Sequence, residues 1–490
     1  MRYWGGCGLS RAPMSESSAP LEVNSEVAAS AVPHLRRVLS LWDLVFYGLV
    51  LIQPIAAVPL FGVAQDLSLG HTVSTVLIGM APILLTAISY GRMAALYPAA
   101  GSAYTYVGRG INPHAGFLAG WAMFLGYLAL PLINVIYVAV TIQREFPQIS
   151  YVAGAAGFAI LITFLNLCGI RWTARANQLL LVAMCGVIGI FLLLAVRYLF
   201  HFQGWSGLFS FAPFYNPQTF HFRTVATATS FATLTYIGFD GLTTLAEDAH
   251  NPRRNVLLAI VLVVLLTALF SGTQVYLAQR VWPQYWPCDH PAGPGPCFPS
   301  RDTAFMDVCQ RVGGPLLYHS MWAILILASF GSGLTGQVGA ARILFGMGRD
   351  KVLPHKLFSY INPRRNTPVA NIALIGLLSF VFALTLNAGG QGYERGGEIL
   401  NSGALMAFMG VNLASFWQFY VRGHAGRKRR LLVDAIMPLF GFLSCLEIWR
   451  NLPRLAMTVG AAWLAAGLMI AAAKTRGFRT RPAMIDFSES

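Results

Sequence analysis

Long apolar segments alternate with short polar ones along almost the whole chain. Most of them approach the roughly 20 residues that an α-helix needs to cross a bilayer. A helix also satisfies its backbone hydrogen bonds internally, as lipid requires. The pattern therefore predicts an all-α membrane protein with twelve transmembrane helices. These are expected at about 42–67, 72–97, 115–141, 151–170, 176–199, 226–247, 255–279, 319–345, 368–387, 398–420, 433–449 and 455–473.

The sixth segment is interrupted by residues that membrane helices avoid. Gly238 and Gly241 lie near its middle, with Asp240 between them. Glycine costs a helix interior about 1 kcal/mol relative to alanine, and a carboxylate at the bilayer centre costs about 2.5 kcal/mol or more. Because both penalties fall at one place, we expect a helix broken around a polar cavity. The alternative is a flexible helix in which Asp240 has a structural partner and no other role.

The first segment is interrupted as well. Pro54 and Pro59 each remove a backbone donor and clash with the preceding turn, and Gln53 stands beside the first of them. Interrupted helices in matching positions of two halves are the best sequence pointer to a transporter binding site. The two breaks, five segments apart, therefore predict a substrate site between the first and sixth helices.

Two further helices carry polar candidates. Tyr127 and Asn134 are seven residues apart and so share one face of the third helix. The glycine-rich eighth helix carries Ser332 and Thr335, whose hydroxyls are candidates for an ion site or a proton relay. For these residues the alternative is hydrogen bonding between packed helices, and close packing accounts for the glycines.

Composition narrows the function classes. Of 490 residues, 56% are hydrophobic and 11% are charged, whereas soluble domains carry about 25% charged residues. The net charge is +15, but the basic residues are spread over short loops, so nucleic-acid binding is not expected. No Cys/His cluster, H-E-x-x-H motif or nucleotide-binding loop occurs, so neither a cofactor, a metal site nor an enzyme is expected.

The distribution of basic residues predicts the topology. With the N-terminus inside, most of the 34 Lys and Arg residues fall in inner loops, which places both termini in the cytoplasm and the chain in the plasma (inner) membrane. Residues 1–40 contain no signal peptide and are predicted to be a disordered cytoplasmic tail. A transporter core is expected over 41–420, two further spans over 421–473, and a cytoplasmic tail over 474–490.

Cys288 and Cys297 flank a stretch rich in proline and glycine in the longest outer loop. On the oxidising side of the membrane, a disulfide between them would close a short loop and stabilise the folded protein by roughly 2–3 kcal/mol. We therefore predict a disulfide between these two residues.

Several blocks, in order from the second span to the tenth, carry a family resemblance. They are AISYGRMAALYPAAGSAYTYVGRGINPHAGFLAGW (87–121), LPLINV (130–135), GFDGLTTLAED (238–248), NPRRNV (251–256), FGMGRDKVLP (345–354), TP (367–368) and GALMAF (403–408). Through them the chain resembles the amino acid–polyamine–organocation (APC) transporter superfamily, and within it the bacterial putrescine importers. The resemblance implies a LeuT-type fold with two inverted five-helix repeats, over 41–200 and 225–420, and uptake driven by a proton or sodium gradient.

In such transporters the backbone of the broken first and sixth helices cradles the substrate. By position this implies the segments 53–57 and 236–241, and Asp240 falls where relatives carry an acid implicated in coupling or gating. With the candidates of the third and eighth helices added, the expected coupling or gating residues are Asp240, Ser332 and Thr335. The expected substrate-binding residues are Gln53, Pro54, Ile55, Ala56, Ala57, Tyr127, Tyr236, Gly238, Phe239 and Gly241.

The chain departs from the family pattern at positions that affect substrate charge. Putrescine importers carry acids where this chain has Pro59 and Gly126, and amino-acid antiporters carry a tryptophan gate where it has Leu234. Without those acids a dication loses most of its counter-charge. The expected function is therefore import of an amino acid or amine, with proton coupling, in a lipid bilayer. A putrescine or polyamine importer is the alternative, and a transporter-like sensor without net transport is the second.

Overall fold

The computed structural model describes residues 39–97, 102–168, 174–246, 249–284, 297–349, 353–362, 367–423 and 429–475, with Gly477 and Arg479. Most of the two predicted tails therefore lies outside the described residues. Within these ranges the chain is helical, and pairing of extended backbone is limited to two isolated bridges. The α-helices are α1 (Leu41–Ile52), α2 (Phe61–Leu67), α3 (Thr72–Leu96), α4 (Ser102–Gly110), α5 (Pro113–Glu145), α6 (Tyr151–Leu167), α7 (Ala174–Leu208), α8 (Phe222–Ala232), α9 (Pro252–Val281), α10 (Ala304–Arg349), α11 (His355–Phe358), α12 (Val369–Leu386), α13 (Gly392–Phe416), α14 (Met437–Arg450) and α15 (Arg454–Lys474).

Nine helical stretches in the described part of the chain are long and apolar enough to cross a membrane. Two shorter apolar helices, α1 and α6, accompany them. The predicted all-α, multi-pass membrane protein is therefore confirmed. The count of twelve spans and the inverted repeat stay predictions.

The first apolar segment is broken where its prolines predict. Helix α1 ends at Ile52, and Gln53 takes the positive φ of 68°. Pro54 has no N–H to donate and disfavours a helical residue before it, so the chain turns from here until α2 begins at Phe61. The amide of Gln53 still donates to the Leu49 carbonyl, at 3.0 Å, and closes the last turn of α1.

The sixth segment is broken at its glycine. Helix α8 continues as a 3-10 turn over Thr233–Tyr236, and a second 3-10 turn runs over Phe239–Leu245. Between them Gly238 has φ 118°, a conformation that residues with a Cβ rarely adopt. A Cβ at Gly238 would lie 3.4 Å from the carbonyl oxygen of Leu51, at the end of α1. The two broken segments are therefore in contact with each other.

Long helices surround these breaks. Helix α3 packs along α9, which also contacts α1, and α5 packs along both α13 and α10. At the periphery, less than a quarter of the residues in the most apolar stretch of α7 and of α15 are buried inside the protein. Lipid solvates such apolar surface as well as protein does, so outer helices need no polar face.

Ion pairs join helices that are distant in sequence. Arg92 of α3 pairs with Asp434, which precedes α14, and also donates to the Val433 carbonyl at 2.5 Å. Arg144 of α5 pairs with Asp307 of α10. These pairs are largely shielded from solvent. Removing one partner of a shielded pair destabilises a protein far more than removing one partner of an exposed pair, because the other charge stays buried and unbalanced.

The predicted disulfide falls partly outside the described residues. Cys297 is disulfide-bonded, but Cys288 is not among the described residues, so the pairing of these two stays a prediction. Among the described residues, the other cysteines are free: Cys168, Cys185, Cys309 and Cys445.

Candidate functional site

A cavity of about 310 Å³ lies beside the two breaks. It is bounded by the end of α1 and the following turn, by the segment around Gly238, and by α5, α7, α10 and α13. Most of its lining is aliphatic. Its polar lining residues are Gln53, Tyr127, Asn134, Tyr137, Asp240, Ser329, Ser332, Thr335 and Tyr393.

The break after α1 contributes Gln53, Ile55 and Ala56 to the lining. The Gln53 side-chain amide donates to the Ala328 carbonyl of α10 at 3.2 Å, so this break is tied to the opposite wall. Pro54 faces away, and its carbonyl accepts a hydrogen bond from Gln274 of α9 at 2.8 Å.

Ala57 lies outside the cavity lining too, as a buried residue of the hydrophobic core. The turn after α1 therefore presents some of its predicted residues to the cavity and uses the others for packing. This alternation follows from the tight turn, which directs successive residues to different sides.

The break in the sixth segment contributes Gly238, Asp240 and Gly241. Asp240 is 3% exposed, and its carboxylate accepts from the backbone N–H groups of Gly238 and of Asp240 itself. Among the described residues it has no Lys, Arg or His partner, and it is the one carboxylate in the lining. A buried carboxylate without a cationic partner is costly, so Asp240 is suited to take up a proton or an ammonium group.

Two residues predicted for this site pack away from it. The Tyr236 hydroxyl donates to the Val76 carbonyl of α3 at 2.8 Å, and the side chain is fully buried. The Phe239 ring packs edge-on against Tyr90 and beside Phe408, with centroids 5.4 and 5.1 Å apart. Both residues are outside the cavity lining and hold the broken segment against α3 and α13.

Helices α5 and α10 supply the other predicted residues. Tyr127 lines the cavity and lies within electrostatic range of Asp240. Asn134 donates to the Ser332 hydroxyl at 3.0 Å across the two helices. Thr335 also lines the cavity, but its hydroxyl donates to the Gly331 carbonyl of its own helix at 2.9 Å. The hydroxyl oxygen of Thr335 can still accept a hydrogen bond from a solute.

The cavity also contains residues that the sequence predictions did not select. Tyr137 of α5 and Tyr393 of α13 line it, with ring centroids 5.3 Å apart. Tyr137 is ten residues after Tyr127 and three after Asn134, so its helical spacing indicated the shared face. Tyr393 stands among the polar residues at the start of α13, where the sequence resembles a loop.

The positions at which the chain departs from the family pattern converge here. Pro59, Gly126 and Leu234 all line the cavity. None of them can carry a charge. The absence of acids at the first two positions therefore bears directly on the electrostatics of this cavity.

Most of the chain matches a single known protein family. The family model described as "Amino acid permease" matches residues 39–472. The low-affinity putrescine importer PlaP of Escherichia coli (strain K12) is 29% identical over 452 residues, covering 91% of this chain and 95% of the relative.

Other relatives carry different solutes. The branched-chain amino acid permease BcaP of Bacillus subtilis (strain 168) is 23% identical, covering 90% of this chain and 94% of the relative. The methylthioribose transporter of the same strain is 24% identical, covering 92% and 95%. All three relatives are transporters by name, and the solutes in their names differ.

Proposed function

We propose, from the premise that this chain belongs to the amino acid permease family, that it is a secondary active transporter importing an amino acid or amine with proton coupling. The predicted resemblance is confirmed, and so is the prediction of a transporter and not an enzyme. The observation that carries the proposal is the cavity between the two broken segments, with one buried carboxylate in its wall.

The proposed architecture has twelve spans. Two inverted five-helix repeats, over 41–200 and 225–420, form the transporter core, and 421–473 adds two helices. Support comes from the two breaks, which fall in the first and sixth apolar segments and contact each other at Leu51 and Gly238. Both termini, with tails over 1–40 and 474–490, lie in the cytoplasm of a cell whose inner membrane holds the protein.

In the proposed site the substrate contacts the backbone of both breaks. Gln53, Ile55, Ala56, Gly238 and Gly241 bind it directly, since all of them line the cavity. Tyr127 of α5 binds it from the opposite wall.

The remaining predicted residues have supporting roles in this proposal. Pro54, Ala57, Tyr236 and Phe239 keep the two backbones broken and in place through the contacts described above. The break is what leaves backbone amides and carbonyls free for a ligand, because a continuous helix would use them internally.

Proton coupling is assigned to Asp240. The hydroxyl groups of Ser332 and Thr335 on α10 are assigned to the same coupling site, as oxygens that can relay the proton. A carboxylate that no basic side chain balances exchanges protons at lower cost than one held in an ion pair. In this proposal Asp240 takes up a proton from the side of higher proton concentration and releases it on the other.

A zwitterionic amino acid or a monoamine is favoured over putrescine. A dication in a site of low dielectric needs counter-charge near both of its ends. The lining offers Asp240 for one ammonium, while Pro59 and Gly126 offer none. The freed amides of the two breaks can hold one carboxylate. A putrescine importer is the second candidate, because PlaP is similar over nearly the full length of the chain.

An uptake screen tests the proposal. The purified protein is reconstituted into proteoliposomes and given labelled amino acids and polyamines, with and without an imposed proton gradient. Accumulation above the outside concentration only with the gradient is expected. Binding without accumulation of any solute would instead support a transporter-like sensor.

A further inference from the structure

An uncharged, aromatic stretch connects the fifth and sixth apolar segments. Between Arg197 and Arg223 the chain has no Lys, Arg, Asp or Glu, and ten of the residues there are Phe, Tyr or Trp. Because it falls between the predicted spans 176–199 and 226–247, hydropathy alone makes this stretch a loop in water. We name residues 200–222 the aromatic segment.

Most rings of the aromatic segment are not buried by the protein. The exposed fractions of six of them range from 49% to 78%: Phe200, Phe202, Trp205, Phe209, Phe211 and Phe222. The Trp205 ring stacks on the Phe209 ring, with centroids 6.3 Å apart, and packs edge-on against Phe200 at 5.3 Å. A single exposed apolar side chain is common, but a contiguous apolar patch marks a surface that binds a partner.

The backbone of the aromatic segment is held at one end of the helix bundle. Helix α7 bends at Gly204, where φ is 61° and ψ is −151°. Beyond this bend the Tyr276 hydroxyl of α9 donates to the Leu208 carbonyl at 2.7 Å and accepts from the Ser210 amide at 2.9 Å. The segment is therefore tied to α9 through its backbone, which leaves its rings free to face outward.

Two more contacts fix the level at which the segment lies. Arg280, one residue before the end of α9, donates to the Gly207 carbonyl at 2.9 Å. Ser74, in the first turn of α3, donates to the Phe214 carbonyl at 2.6 Å. Both contacts come from the terminal turns of helices that are long and apolar enough to cross the membrane. The aromatic segment therefore lies at the level where these helices end.

The exposed rings continue a surface that faces lipid. Val182, Leu193 and Phe200 of α7 are 68%, 73% and 49% exposed, and their spacing places them on one face of the helix. Less than a quarter of the most apolar stretch of α7 is buried. Because α7 leads directly into the aromatic segment, the lipid that covers this face also reaches the rings beyond the bend.

Two physical requirements set the depth of the segment in the bilayer. Residues 209–221 are not helical, and irregular backbone that faces lipid is not tolerated in the hydrocarbon region, where its polar groups would lack partners. Apolar rings left in water lose about 25 cal/mol for each Å² that could have been buried. The headgroup interface meets both requirements, because it hydrates the backbone and takes up aromatic rings.

We propose that the aromatic segment is a membrane anchor, which lies along the headgroup region of one leaflet and inserts its exposed rings at the boundary with the acyl chains. Its partner is the lipid of that leaflet, which is the outer one in the proposed topology. The anchor goes beyond the proposed function and does not depend on which solute is carried. It holds the ends of α3, α7 and α9 at one depth in the membrane.

Fluorescence quenching of Trp205 tests this position. The full-length protein is placed in bilayer discs of phosphatidylcholine whose acyl chains carry bromine either just below the headgroup or near the chain end. The Trp205 signal is the difference between the unaltered protein and Trp205→Phe, a change at a side chain that is 69% exposed. Shallow bromine is expected to remove the largest share of this signal, deep bromine less, and iodide in the water least.

A second reporter covers the irregular half of the segment. Phe211→Trp is made in the Trp205→Phe background, where the 71% exposure of Phe211 leaves room for the larger ring. A segment that lies parallel to the membrane gives the same order of quenching at both positions. The control is Trp121→Phe, because Trp121 is buried and stacks on Trp463 with centroids 4.7 Å apart. Its difference signal should respond to none of the quenchers.

Four results would overturn the proposal. Strongest quenching by iodide would make the segment a loop in water, and strongest quenching by deep bromine would place it in the hydrocarbon core. Quenching by shallow bromine at Trp205 alone would mean that the chain leaves the membrane before Phe211. A signal that no quencher reduces would mean that protein, such as a second copy of this chain, covers the rings. None of these readouts uses transport, so a chain that accumulates no solute can still show the anchor.

Discussion

At the scale of single residues, the proposed mechanism depends on Asp240. Asparagine has nearly the same size and keeps the hydrogen bonds from the backbone amides, but it can neither carry charge nor exchange a proton. We expect Asp240→Asn to fold and to bind solute, yet to accumulate no more label with an imposed pH gradient than without one. Uptake into proteoliposomes at several gradients is the measurement, with Glu447→Gln as the control. Unchanged accumulation would leave Asp240 with a structural role alone.

At the scale of elements, the break at Gly238 is expected to need glycine for its shape. Gly238→Ala puts a Cβ on a residue with φ 118°, which strains the backbone by roughly 1–2 kcal/mol. Gly389→Ala is the matched control, because Gly389 has φ 100° and open space where the Cβ would go. Both variants should lose similar stability, measured as Tm, but only Gly238→Ala should weaken solute binding. Equal binding in the two variants would show that the shape of the break is not needed.

The loop before α10 contains the predicted Cys288–Cys297 bridge. Such a bridge restricts the unfolded chain and should stabilise the protein by roughly 2–3 kcal/mol. Mass mapping of peptides prepared without reduction is expected to recover the two cysteines linked. Recovery of both as alkylated thiols from freshly isolated protein would contradict the pairing.

At the scale of the whole molecule, the proposed charge of the substrate rests on all the residues that line the cavity. One carboxylate and the freed amides of two breaks suit an ammonium and a carboxylate on one solute. We expect neutral amino acids to displace a transported label better than excess putrescine, by about tenfold or more in half-inhibitory concentration, which corresponds to about 1.4 kcal/mol. Tight displacement by putrescine, with none by the amino acids, would favour the putrescine importer.

Hydropathy and a few single residues were enough to predict an all-α membrane protein and the interruptions of its first and sixth apolar segments. The apolar segments set the membrane helices because a bilayer has a fixed thickness and excludes unpaired backbone groups. The chain leaves the helix at Gln53, next to Pro54, and at Gly238, for reasons that act within a few residues. Asp240 could be selected because a buried acid in an apolar segment is costly wherever the helix packs.

Only the tertiary structure decided which side chains meet. Tyr236 and Phe239 flank the break but turn toward α3 and α13, whereas Tyr137 and Tyr393 reach the cavity from separate helices. Tyr393 was missed because the start of α13 resembles a polar loop in sequence, and the helices that complete the cavity around it lie far away in the chain. Local sequence governs whether a helix forms and breaks, but the direction that each side chain faces is set by packing between segments hundreds of residues apart.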